Sequence, residues 1–183
     1  YRFDRTVLSL DNCLPPKWQL PFDDVLMLPS RSGLSANLAQ GWEAVASDDW
    51  VFDTEEDFEI LDAPLEDMIA VMEQQPQVAN MVLMRQPVSW EEQQAGSVLG
   101  GQHLQGTYID HQTWVEHSAG YWLNPNLVRG SLLKTLTPSV ESGLTIQCVR
   151  RGMTFGYWGA VTDPPRCNHI GELGGMGSAG WLP

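Results

Sequence analysis

Short β-prone runs alternate with helically spaced apolar residues along this chain, and that alternation limits the folds open to it. Thr6-Val7-Leu8-Ser9-Leu10 is a brief buried-strand pattern that stops at the turn pair Asp11-Asn12. The stretch from there to Ser30 carries Pro15, Pro16, Pro21 and Pro29 and is expected to be mostly loop. Leu34, Leu38, Trp42 and Val45 then recur at helical spacing, with Ser32 as the expected N-cap. Trp50-Val51-Phe52 is β-branched and aromatic, and Phe58 to Leu61 continues extended. Asp62 reads as an N-cap ahead of Pro64, opening a helix whose packed face is Leu65, Met68, Ile69 and Met72 and which ends before Pro76.

The second half continues the pattern. Val78 to Met84 is a strand, and Ser89-Trp90-Glu91-Glu92 is a capping box that starts a short helix. Gly96 to Gly106 reads as a Gly-rich loop, and Asn124-Pro125-Asn126 as a turn after Tyr121-Trp122-Leu123. Leu127 to Leu136 has a helical look. Glu141 to Arg151 is a helix closed by Gly152, and Met153 to Trp158 is a strand. Strands alternating with helices predict an α/β domain with a mostly parallel sheet and flanking helices. One domain over residues 1–170 and a Gly-rich tail over 171–183 are expected.

In parallel α/β sheets ligands gather beyond the carboxyl ends of the strands. The first suspects are therefore Asp11, the Glu55-Glu56-Asp57 run and an Asn168-His169 turn. Asp48 and Asp49 precede a strand and read as a solvated turn. Composition narrows the functional classes. The chain has 183 residues, 43% hydrophobic and 18% charged, which suits one globular domain. A formal net charge of -13 disfavours broad nucleic-acid binding, which needs a basic face. No apolar run approaches the roughly 20 residues of a membrane span, and no signal-peptide pattern is legible. Cys13, Cys148 and Cys167 form no CxxC pair, and their odd number argues against a disulfide framework. The expected setting is reducing and cytoplasmic.

Several weak motifs in order carry a resemblance. They are the strand Thr6 to Asp11; Arg31-Ser32-Gly33-Leu34-Ser35-Ala36-Asn37 with Gly41-Trp42-Glu43; Asp49 to Thr54 delivering Glu55-Glu56-Asp57-Phe58; Asn124-Pro125-Asn126-Leu127 with Glu141; and Cys167-Asn168-His169-Ile170-Gly171. Over roughly Val7 to Gly171 the chain resembles nucleotide-sugar glycosyltransferases of the GT-A fold, a Rossmann-related architecture, in the family-two-like group with short phage and bacterial forms. The Arg and Asn of that family's helix motif are shifted or absent here. The family's first strand has no counterpart before Tyr1, so the resemblance is to an N-terminally shortened form.

The resemblance implies a metal-dependent transfer of a sugar from a nucleotide diphosphate sugar, a UDP-sugar by preference, to a hydroxyl acceptor with inversion. Glu55 and Asp57 would form a Glu-x-Asp version of the DxD motif and hold Mn²⁺ or Mg²⁺ with His169. Alternate residues of an extended segment point the same way, so these two acids share a direction. Hard oxygen ligands suit either cation, which stabilises the departing diphosphate as a Lewis acid. Asp11, Arg31 and Glu55 would meet the nucleotide sugar, while Arg85, Trp90 and Trp122 would meet the acceptor. Glu141 would be the base that takes the acceptor proton. Each assignment has a plainer alternative: an acidic surface turn for Glu55 and Asp57, a turn former for Asp11, a structural imidazole for His169, and a first-turn acid favoured by the helix dipole for Glu141. Trp158 is a further sugar-stacking candidate, and core packing is the alternative for Trp90, Trp122 and Trp158 alike. Two rival functions stand beside the transferase: a non-catalytic binding module of the same fold, and a metal-dependent hydrolase using Asp57 and His169.

Overall fold

The computed structural model describes residues 3–11, 22–55, 58–83, 108–118, 120, 123, 125–159, 163–164 and 166–169. Its centre is a six-stranded sheet built from β3 (Trp50–Asp53), β5 (Val78–Leu83), β6 (Tyr108–Asp110), β7 (Trp114–His117), β8 (Asn126–Arg129) and β9 (Thr154–Trp158), in the order β3-β8-β5-β9-β7-β6. Two smaller sheets accompany it. One is a parallel pair, β1 (Val7–Leu10) with β2 (Asp24–Met27), and the other an antiparallel ribbon, β4 (Phe58–Ile60) with β10 (Cys167–His169). The helices are α1 (Leu34–Val45), α2 (Leu65–Gln74), the short α3 (Gly130–Leu133) and α4 (Glu141–Val149).

The α/β class is as the sequence predicts, but the sheet is mixed rather than mostly parallel. Within the six strands only β5 and β9 pair in parallel; every other neighbouring pair is antiparallel. Part of the reason is local. Three residues, 111–113, join β6 to β7, and a connection that short permits only antiparallel neighbours. The rest is long-range, because β8 inserts between β3 and β5 from more than forty positions downstream of both. By this pairing β3, β5, β6 and β9 run one way, so their carboxyl ends share one edge with the starts of β7 and β8.

Alternation along the strands divides the core into two layers. Val128 and Phe155 join Trp42, Ala46, Leu132, Leu144 and Cys148 beneath α1, α3 and α4. Leu127, Met81 and Trp158 join Leu65, Met68, Met72 and Cys167 beneath α2 and the ribbon. Strand β5 is buried throughout, as a central strand covered on both faces must be. At 25 cal/mol per Å², a fully buried Leu, Met or Phe contributes about 1.5–3 kcal/mol each, so these two clusters dominate the stabilisation.

Five local expectations change. The Pro-rich stretch contains β2, held on β1 because the Asp23 carboxylate accepts both the Thr6 N–H at 2.7 Å and the Thr6 hydroxyl at 2.8 Å. Leu127 to Leu136 is not one helix: its start is strand β8, paired on both sides, and only Gly130–Leu133 is helical. The N-cap of α1 is Gly33 rather than Ser32, whose hydroxyl turns back to the Ser30 carbonyl at 2.8 Å. Pro64 occupies the N-cap of α2, leaving Asp62 to pair with Arg166. Asn168 and His169 lie in a strand, not a turn. The helix expected at Ser89-Trp90-Glu91-Glu92 and the loop at 96–106 lie outside the described residues. No helix among the described residues is long and apolar enough to cross a membrane.

Candidate functional site

Successive residues of β3 face opposite layers of the core, with Val51 packing under α1 and Phe52 under α2. Asp53 ends the strand on the α1 side, directly opposite Asn126, and Asn126 is opposite Val82. Trp42 of α1 donates its indole N–H to Asp53 Oδ2 at 3.5 Å. Burial pushes the Asp53 carboxyl above the usual carboxylate range, against the opposing pull of the Trp42 and Thr54 N–H groups. Thr54 and Glu55 follow at once and are exposed. Glu55 thus leaves the sheet on the edge shared by the carboxyl ends of β3, β5, β6 and β9. Asp48 and Asp49 stand at the opposite end of the strand, in the turn after α1.

The ribbon supplies the long-range link. Phe58 pairs with His169, Glu59 with Asn168 and Ile60 with Cys167. Cys167 is fully buried, and its Sγ lies 3.8 Å from the Leu83 carbonyl at the end of β5. Asn168 adds a side-chain hydrogen bond to Glu59 at 3.0 Å. Leu61 and Asp62 donate their backbone N–H groups to the Arg166 carbonyl at 2.9 and 3.1 Å. Two segments picked out separately in the sequence are thereby joined: His169 is aligned with the residue that follows Asp57. Asp57 itself lies outside the described residues. Among the described residues, no group of three or more His, Cys, Asp or Glu stands close enough to hold a metal ion.

Asp11 follows β1 and braces the approach to α1. Its two carboxylate oxygens accept the backbone N–H groups of Ser32 at 2.7 Å and Gly33 at 2.8 Å. This brings Asp11 to the exposed Arg31 segment, at the carboxyl ends of β1 and β2. Glu141 is the first residue of α4, and its Oε1 accepts the Leu123 N–H at 2.8 Å. Arg85, Trp90 and Trp122 lie outside the described residues. Trp158 is a core residue, 6% exposed and opposite Trp114, which removes it from the sugar-stacking candidates.

Three polar features were not singled out from sequence. One is Asp53, whose position was legible in the alternation from Val51. Another is the buried pair Asn80 and Asn126, where the Asn80 amide donates to Asn126 Oδ1 at 3.5 Å. The third is Glu116, 8% exposed, which accepts the Thr154 hydroxyl at 2.6 Å and stands 3.4 Å from His111 Nε2. His111 stacks on Trp114 with ring centroids 4.2 Å apart. Glu116 and its partners come from β7, β9 and the turn between β6 and β7, so no local pattern announces them. Comparison of the chain with protein-family models, curated proteins and solved structures finds no match.

Proposed function

We propose that the chain is a GT-A-like, metal-dependent glycosyltransferase that moves a sugar from a nucleotide diphosphate sugar to a hydroxyl acceptor with inversion. The observation supporting it most is the pairing of Phe58 with His169. It aligns the acidic segment after β3 with the Asn168-His169 segment, as the Glu-x-Asp and His-Ile-Gly resemblances require of partners in one site. The position of Glu55 beyond the carboxyl end of β3 is the second support.

The donor set fits Mn²⁺ or Mg²⁺ in its chemistry. Carboxylates are hard oxygen ligands, and an imidazole is acceptable to manganese. Glu55, Asp57 and His169 would hold the cation, which when bound neutralises charge developing on the leaving diphosphate. Asp11, whose carboxylate holds the backbone of Ser32 and Gly33 next along the chain from Arg31, is with Arg31 a nucleotide-side residue of this reading. Arg85, Trp90 and Trp122 are its acceptor-side residues.

The test is calorimetric titration of the chain with UDP, with and without Mn²⁺. UDP binding that requires Mn²⁺, is lost in Asp57→Asn and survives in Asp48→Asn is the expected result. Equal effects at the two aspartates would undo the assignment. Metal-independent or absent UDP binding would favour a non-catalytic module, and release of free sugar without an acceptor a hydrolase.

A further inference from the structure

Charge is unevenly distributed along this acidic chain. Between His117 and Thr162 the single acidic residue is Glu141, whereas Arg129, Lys134, Arg150 and Arg151 all fall there. Folding gathers three of these cations in one place. Arg150 and Arg151 follow α4 and precede β9, so they stand at the amino end of that strand, away from the edge bearing Glu55. The Arg151 guanidinium donates to the Thr135 carbonyl at 2.7 Å, which brings Lys134 beside it. Lys134, Arg150 and Arg151 are all exposed. Helix α4 turns Leu144 and Cys148 into the core and presents Ser142, Ile146 and Val149 to solvent. Ile146 is 51% exposed and stands one turn before Arg150, with Val149 beside it at 48%.

We propose that this face, built on Ile146, Val149, Lys134, Arg150 and Arg151, is a docking surface for an anionic lipid bilayer, on which the protein rests without crossing it. Charge complementarity and apolar exposure together select that partner. Cations alone would suit any polyanion, but Ile and Val side chains set among them gain nothing from a phosphate backbone in water. At a bilayer they enter the apolar boundary while the cations meet the headgroup phosphates. The fold also holds most acids away from such a surface. Glu141 is at the far end of α4, about 13 Å from Arg150. The edge bearing Glu55 lies the length of β9 away, about 17 Å. Both distances exceed the Debye length of about 8 Å at physiological salt. Asp48 and Asp49 stand at the same end of the sheet, in the turn after α1, where Arg5 attracts Asp48. Docking here leaves the Glu55 edge facing solvent, and it does not depend on the transferase reading.

Cosedimentation of the full chain with lipid vesicles tests the assignment. Binding is expected to phosphatidylcholine vesicles holding about 30% phosphatidylglycerol and not to phosphatidylcholine alone. It should vanish at about 1 M salt, where the Debye length falls to about 3 Å. Arg150→Gln should lower the partition coefficient about fivefold, and Lys134→Gln added to it about 25-fold in all. Ile146→Ser should lower it about threefold or more, through lost apolar contact rather than charge. All these positions are exposed, and circular dichroism checks that each variant is folded. Glu66→Gln, on the exposed side of α2 in the opposite layer, alters net charge as much as Arg150→Gln does and should leave binding unchanged. Effects of equal size at Glu66 and Arg150 would attribute binding to net charge and overturn the proposal. Equal binding to both lipid mixtures, or none to the anionic one, would overturn it too. Retention by poly-glutamate or by duplex DNA without vesicle binding would overturn it in favour of an acidic protein or a nucleic acid.

Discussion

Replacing Gly130 by alanine should be among the most damaging single-methyl changes in this protein. Gly130 joins β8 to α3 directly beneath the turn between α1 and β3. A Cβ placed there would lie 1.9 Å from the Asp48 carbonyl oxygen and 2.9 Å from that of Ala46. Real Cβ atoms essentially never approach closer than 3.0 Å, so the Asp48 carbonyl must retreat by about 1.1 Å. It is backbone and cannot rotate away as a side-chain tip would. Overpacking of this kind costs about 1–3 kcal/mol, and a rigid neighbour puts it at the upper end. The same shift breaks the hydrogen bond from the Gly130 N–H to the Asp49 carbonyl at 3.2 Å, a further loss of about 1 kcal/mol. The total of about 3–4 kcal/mol corresponds to a drop in Tm of roughly 6–16 °C for a domain of this size. Gly41, inside α1, gives the internal contrast. A Cβ there meets Ser9 Cβ at 3.4 Å, an ordinary contact. Alanine also favours the helix interior over glycine by up to about 1 kcal/mol. Gly41→Ala should therefore raise Tm while Gly130→Ala lowers it, both read by thermal melts followed by circular dichroism. A Gly130→Ala protein melting within about 2 °C of wild type, or equal losses for both variants, would refute the steric reasoning.

Two further outcomes follow from one buried and one half-buried polar group. His117 is 1% exposed between the rings of Phe155 and Tyr157, and burial lowers its pKa from 6.5 to about 4 against the attraction of Glu116. The unfolded chain takes up this proton first as pH falls through 6.5, so the folded state should lose roughly 3 kcal/mol between there and about pH 4. Urea titrations across that range should show a flatter profile for His117→Phe, and an unchanged profile would refute the assignment. Arg129 donates to the Val78 carbonyl at 2.8 Å and to that of Met72 at the end of α2, with its guanidinium 5.1 Å from the centre of the Trp50 ring. Arg129→Ala should cost about 2–4 kcal/mol in urea unfolding, and Arg129→Lys should recover less than half, because an ammonium cannot reproduce the planar fork.

The elements most legible in the sequence are those whose burial pattern is complete within one segment. Helix α2 shows Leu65, Met68 and Met72 on one face, and β5 is an apolar run buried on both sides. Gly152 closes the last turn after α4 with φ at 72°, as its place in the sequence suggests. Strand β2 escaped because two of its four residues, Val25 and Met27, stay half exposed, and only pairing with β1 makes it a strand. Leu127-Val128 escaped for the opposite reason: a short apolar run fits a helix or a central strand equally, and its neighbours on both sides decide. The same physics governs the candidate site. Glu55 and His169 could each be picked out by local context, yet nothing local says that Phe58 and His169 pair. The position of Asp53 on its strand was legible, but its contact with the Trp42 indole, eleven positions earlier, was not.

The ribbon also has a consequence for the growing chain. Glu59 and Asn168 are separated by 109 positions, so their strands leave the ribosome on the order of ten seconds apart. During that interval β4 has no partner, and with Phe58, Ile60 and Leu61 it offers an apolar edge to any other nascent copy. Glu55, Glu56, Asp57 and Glu59 surround that edge. Clustered like charge beside an unavoidable hydrophobic strand acts as a gatekeeper against such association. The acids proposed to serve catalysis in the finished protein thus also guard the strand beside them before its partner arrives.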